Sequence, residues 1–272
     1  MGKRMVSDTT YIWREFFKRF RNDGVLDLSA QLAYYFLLSL FPFLIVSITF
    51  ITSIVDPNQL LRLIDVYGPP ELMDIILENM SVINQQGGTI LSVGIIITIW
   101  TASNGMNAII RALNKAYDVP ENRHFILARG VAILLTFGML FIIVVAMLLP
   151  VFGEMIGKLF TYIGLSHFES IWNAIRWVIS SVLIVGVITM IYVFAPNKKL
   201  IVKDVWIGAV VATIGWQLVS WGFAFYVNSF SNYSATYGSL GGIIVLMLWF
   251  YLSGMMLLIG GELNATLNKI RK

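Results

Sequence analysis

The sequence predicts an all-α integral membrane bundle of six transmembrane helices. An N-terminal amphipathic helix lies in the membrane interface and a second amphipathic helix occupies the first outer loop. Three observations lead there. Of 272 residues, 58% are hydrophobic and 12% charged, at a mean hydropathy of +0.79, whereas a soluble domain carries about a quarter charged residues. Charge is excluded from five windows, 28–55, 79–110, 130–153, 177–197 and 205–261. Finally, 16 of the 19 Lys and Arg residues fall in alternate connecting segments, as expected if basic segments stay on the cytoplasmic side during insertion.

A crossing needs roughly 20 apolar residues, so the first four windows hold one each. The fifth holds two, separated by the polar stretch from Asn228 to Gly238. The expected spans are 30–54, 88–110, 130–151, 177–196, 205–227 and 239–260, in a single domain over 1–272. Six basic residues precede the first span, four lie in 111–129, three in 198–204 and three in the C-terminal tail, against Arg62, Lys158 and Arg176 on the other side. Both termini are therefore expected in the cytoplasm. The first apolar run begins only near Leu28 and is long enough to span, so no cleavable signal peptide is read. The net charge of +4 is spread over four short segments, which suits topology and anionic headgroups and implies no nucleic acid. The absence of cysteine excludes disulfides, thiol catalysis and cysteine metal sites.

Along the chain, Tyr11–Phe20 places Trp13, Phe16, Phe17 and Phe20 on one helical face, with Arg14, Lys18 and Arg19 elsewhere. That pattern suits an interfacial helix. In the first crossing Gln31, Tyr34, Tyr35 and Ser39 precede Pro42. Proline lacks an N–H and strands the Leu38 carbonyl, so Ser39 and Pro42 mark a candidate kink or gate, with Ser39 or water re-satisfying the backbone.

After Pro69-Pro70, Leu72, Met73, Ile76, Met80 and Ile83 share a face opposite Glu71, Asp74 and Glu78. This reads as an amphipathic helix within an acidic outer loop, 56–86, either a structural cap or a lid over a substrate path. In the second crossing Asn104, Asn107, Arg111 and Asn114 are spaced by three, four and three residues. They form one helical stripe, which is unfavourable against lipid and is expected to face the bundle or a wet cavity. Interhelical hydrogen bonding and substrate contact are both open readings of it.

The fifth crossing carries Gln217 with Thr213 and Ser220 on its face, and Gly208, Ala212 and Gly215 that permit close packing. At the end of the sixth, Glu262 follows Gly260-Gly261, with Asn264 and Asn268 beyond. Glu262 is expected to pair with Arg111, to close a helix-end ion pair, or to titrate as a coupling group. No Walker loop, GxSxG elbow or HExxH pair occurs. His124 and His167 are expected on opposite faces of the membrane. No metal, cofactor or catalytic constellation is expected.

Gln31-Leu-Ala-Tyr-Tyr-Phe-Leu-Leu-Ser-Leu-Phe-Pro42 resembles the first-crossing signature of the YihY/BrkB family of bacterial inner-membrane proteins. In order after it come Trp100-Thr-Ala-Ser-Asn104, Asn114-Lys-Ala-Tyr-Asp-Val, Tyr233-Ser-Ala-Thr-Tyr-Gly238, Trp249-Phe-Tyr251 and Gly260-Gly-Glu262-Leu-Asn264. The resemblance covers nearly the whole chain. It implies a six-helix protein of the bacterial plasma (inner) membrane and carries no catalytic residues over. Members were long labelled ribonuclease BN, a label regarded as mistaken, and no metal-ligand constellation for phosphodiester hydrolysis stands in this sequence.

The expected function is a transporter or translocator of lipids or of lipid-linked or anionic molecules. Asn104, Asn107, Arg111, Asn114, Gln217 and Glu262 would line its path, with Arg111 attracting phosphate or carboxylate. The alternative is a non-transporting scaffold for envelope proteins. Expected partners are membrane lipids and an anionic or lipid-like substrate, with homo-oligomerisation left open.

Overall fold

The computed structural model describes residues 2–54, 70–139, 166–229 and 233–270. Side chains are described for 10–40, 43, 92–139, 171–172, 175–227 and 241–270. Every regular element among them is a helix: α1 Gly2–Asn22, α2 Val25–Ile54, α3 Pro70–Ala116, α4 Phe125–Met139, α5 Ser166–Phe194, α6 Val202–Ser229 and α7 Tyr233–Ile270. Four stretches are long and apolar enough to cross a membrane by length and composition, Ser92–Ala116, Ile175–Phe194, Val202–Val227 and Gly241–Ile270. Val25–Leu40 and Phe125–Met139 are shorter apolar helices within the described residues. Half of the 130–151 span and the 56–69 part of the outer loop lie outside them.

The remaining loop helix differs from expectation. Residues 70–86 do not form a separate element; they open the 47-residue α3, which runs on through Gly87-Gly88 into the crossing. Once a helix is nucleated, each added residue gains a hydrogen bond, and two glycines at about 1 kcal/mol each do not stop it. Likewise α2 continues past Pro42 to Ile54. There the Ser39 hydroxyl donates to the Phe36 carbonyl at 2.9 Å, not to the Leu38 carbonyl that proline strands.

The chain divides into two compact units, 35–104 and 1–34 with 105–272. In the latter, α7 packs along α6, α6 against α5, and α1 against the end of α7. Large apolar side chains point outward, Trp177, Val178 and Val182 on α5 and Leu218, Trp221 and Phe225 on α6, as suits helices surrounded by lipid. Hydroxyls on these helices are satisfied within them: Ser181 bonds the Trp177 carbonyl and Thr213 the Ala209 carbonyl, each at 2.8 Å. A bilayer core leaves no water to do so.

The amphipathic α1 divides its aromatic face in two. Phe16 is buried and Phe20 half-buried, while Trp13 and Phe17 stay exposed. Gly24, at φ 68°, ends the helix in the left-handed region and lets α2 start at once. The Asp204 carboxylate opens α6 by accepting from the Ile201 N–H at 3.1 Å, the reach-back half of a capping box.

Candidate functional site

Polar groups converge where the ends of α1, α3 and α7 meet. The α3 C-terminus closes as a Schellman motif, with Val119 N–H bonded to the Asn114 carbonyl and Asp118 N–H to the Lys115 carbonyl, both at 3.0 Å. Asp118 takes the left-handed position at φ 53°, where glycine is usual. Arg19 of α1 secures it: Nη1 donates to the Ala116 carbonyl at 2.6 Å and Nη2 to Asp118 Oδ2 at 2.7 Å. One guanidinium thus caps an orphan carbonyl and pairs with the residue that makes the turn. Arg19 is only 8% exposed although it stands among basic residues that read as solvated. Lys115 Nζ in return donates to the Asp23 carbonyl at 2.7 Å, and Lys269 Nζ meets Glu15 Oε1 at 2.7 Å, joining α7 to α1.

Glu262 belongs to this cluster. It is buried, and the charged groups acting on it are Asp23, Arg19 and Asp118. Arg19, and not Arg111, is the cation among the groups acting on Glu262, as α1 folds against the end of α7. Burial is the largest influence on Asp23 and pushes its carboxyl above the ordinary range, with Lys115 and Arg19 pulling the other way.

The stripe on α3 is not one environment. Asn114 is 4% exposed and works as a bracket, its Nδ2 donating to Glu121 Oε2 at 2.8 Å and its Oδ1 accepting from the Asn197 N–H at 2.6 Å. Arg111 is exposed and Asn107 half-buried, and neither has a hydrogen bond or ion pair among the described residues. Asn104, also half-buried, falls in the 35–104 unit. Gln217 Nε2 donates to Ser181 Oγ at 2.7 Å and ties α6 to α5. Pro42 is helical in backbone, with its side chain outside the described set. Among the described residues no three His, Asp or Glu stand together as metal ligands.

Beyond the predicted residues, Asn264 is the principal tie between α6 and α7. Fully buried, it accepts from the Gly208 N–H and donates to the Val205 carbonyl, both at 2.8 Å. Asn268, one turn on, donates to the Asp204 carbonyl at 3.0 Å. A Cβ at Gly208 would collide with the Gly260 carbonyl and the Asn264 amide. The sequence signal was present: amides at i and i+4 after Gly260-Gly261, opposite a small-residue face. For Arg19 the signal was fainter, an i,i+4 spacing from Glu15 beside Phe16 and Phe20.

The family model described as Virulence factor BrkB matches residues 16–272. Over 264 residues the chain is 51% identical to the ribonuclease-like protein YfkH of Bacillus subtilis (strain 168), covering 95% of this chain and 96% of that one. It is 24% identical to a UPF0761 membrane protein of Alteromonas mediterranea, over 93% of this chain and 86% of the relative. A UPF0761 membrane protein of Haemophilus influenzae is 26% identical over 94% of each chain. No solved structure matches.

Proposed function

This chain belongs to the BrkB family of membrane proteins, and on that premise we propose that it is a multi-pass translocator of anionic, lipid-like molecules in a bacterial plasma membrane. Six crossings, with both termini in the cytoplasm, are part of this reading. The four long apolar helices supply four, and Val25–Leu40 and Phe125–Met139 begin the other two. The distribution of 16 basic residues against three supports the orientation.

One observation carries the substrate class. Asn107 and Arg111 lie one turn apart on α3, inside the span Ser92–Ala116, without a hydrogen bond to any described residue. A guanidinium at bilayer centre costs about 3 kcal/mol on insertion scales. Arg111 stands five residues from the end of the span, from where its side chain reaches the headgroup level. The planar fork matches a phosphate or carboxylate bidentately, and the Asn107 amide adds a donor on the same face. Asn114 and Gln217 are occupied in structural contacts and Glu262 is buried away from Arg111 with Arg19 and Asp23 acting on it; these three act as the frame. Ribonuclease action, the word in the Bacillus relative's name, is no part of this reading: Asp118 and Glu15 are engaged with Arg19 and Lys269.

The test is reconstitution into vesicles with fluorescent anionic and zwitterionic phospholipids. Arg111→Ala should insert normally and lose movement of the anionic probe, while Arg111→Lys keeps part of it. Wild-type rates in the Ala variant would remove Arg111 from the mechanism and favour the scaffold reading.

A further inference from the structure

Two carboxyl groups meet where the turn after α1 touches α7. Asp23 and Glu262 are among the groups that act on each other, through charge and through a shared side-chain hydrogen bond. Glu262 is 3% exposed, and among the described residues its Oε2 finds no N–H or O–H donor. Two ionised carboxylates offer each other only lone pairs, so a contact of this kind requires a proton between them.

The surrounding charge agrees. The cations are Arg19 from α1 and Lys115 from the end of α3, and Asp118 is a third carboxylate. With Asp23 and Glu262 both ionised, three anions face two cations; Arg19 and Glu262 are buried, Asp23 is half-buried, and Lys115 and Asp118 are exposed. With one proton retained, the charges balance. The neighbouring Glu15 and Lys269 neutralise each other at 2.7 Å. Tyr117, just past the end of α3, presents a neutral phenol on which Asp204 and Glu262 act, with the Lys198 ammonium 4.9 Å from its ring centre.

We propose that Asp23 and Glu262 form a binding site for a single proton, and that this proton clamps the α1–α2 turn to the end of α7. Loss of the proton to water leaves two facing carboxylates, whose repulsion opens the clamp and frees α1. The burial that holds Asp23 above its ordinary range favours the protonated pair. This site stands apart from the Arg111 reading and does not depend on it.

The test is an infrared titration of the full chain in nanodiscs from about pH 5 to about pH 10. Exposed carboxyls ionise near about pH 4, so a protonated-carboxyl C=O band that persists above about pH 6 and vanishes on further titration is the expected signature. Asp23→Asn and Glu262→Gln should each abolish it. Absence of such a band from the wild type overturns the proposal, as does a band that survives in a correctly inserted variant. Limited proteolysis of the wild type over the same range gives a reading that needs no variant. Cleavage within α1 should rise as the band disappears, and cleavage that does not track the band rejects the clamp.

Discussion

Arg19 and Asp118, 99 residues apart in sequence, are joined by a 2.7 Å hydrogen-bonded ion pair. The same guanidinium caps the Ala116 carbonyl. The pair is asymmetric: the Arg19 side chain is 10% exposed and the Asp118 side chain 72%. Its main value therefore lies on the arginine side, where a donor and a helix-end carbonyl are removed from water together.

Replacement at the two ends should differ accordingly. Arg19→Ala strands the Ala116 carbonyl and is expected to cost about 1–3 kcal/mol. Asp118→Gly loses an exposed pair worth up to about 1 kcal/mol but relieves a left-handed L-residue of about 1–2 kcal/mol, so it should be near neutral. Asp118→Ala loses the pair with no relief. Denaturation midpoints in detergent should order wild type and Gly together, Ala lower and Arg19→Ala lowest.

Gly208→Ala should separate α6 from α7. The new methyl meets the Gly260 carbonyl and the Asn264 amide, which are backbone and a bonded side chain that cannot swing aside. Overpacking of this kind costs about 1–3 kcal/mol. Gly186→Ala, whose Cβ would meet nothing within 4 Å, is the matched control and should leave the thermal midpoint unchanged or slightly raised.

Two amides at helix contacts should prove unequal. Asn264→Ala removes two buried side-chain bonds to the α6 backbone, at the Gly208 N–H and the Val205 carbonyl, at about 1–3 kcal/mol for the two together. Gln217→Ala removes one part-buried side-chain bond to Ser181, at about 0.6 kcal/mol. Thermal unfolding of both variants in one detergent checks the ranking.

The docking of α1 should weaken toward both ends of the pH scale. The Lys269 ammonium holds Glu15 below the ordinary carboxylate range, so its contribution is present above the unfolded value, about 4.3, and is lost as pH falls through the lower folded value. Asp23 is shifted the other way, chiefly by burial. Its contribution is fully present below the unfolded value, about 3.9, and is lost as pH rises through the higher folded value. Each effect should stay below about 1 kcal/mol because both groups are partly solvated. Trp13 fluorescence followed against pH should show two transitions. Lys269→Ala should remove the acid one and Asp23→Asn the alkaline one.

The run of the chain alone determined that this is a helical membrane protein. It also placed the long apolar helices near 177–196, 205–227 and 239–260, because exclusion of charge over twenty residues is a local property written in consecutive positions. The close approach at Gly208 was legible for the same reason. What the tertiary structure decided is which polar groups are spent on which partners. Asn104, Asn107, Arg111 and Asn114 share a spacing, yet Asn114 is bound to Asn197 and Glu121 while Arg111 has no described partner. Arg19 looked like one more solvated cation until α1 was seen folded across the end of α3. Helical period tells which residues share a side of their own helix; for Asn264, Asn114 and Arg19 the partners on that side include residues 56 to 99 positions away, and only packing brings them there.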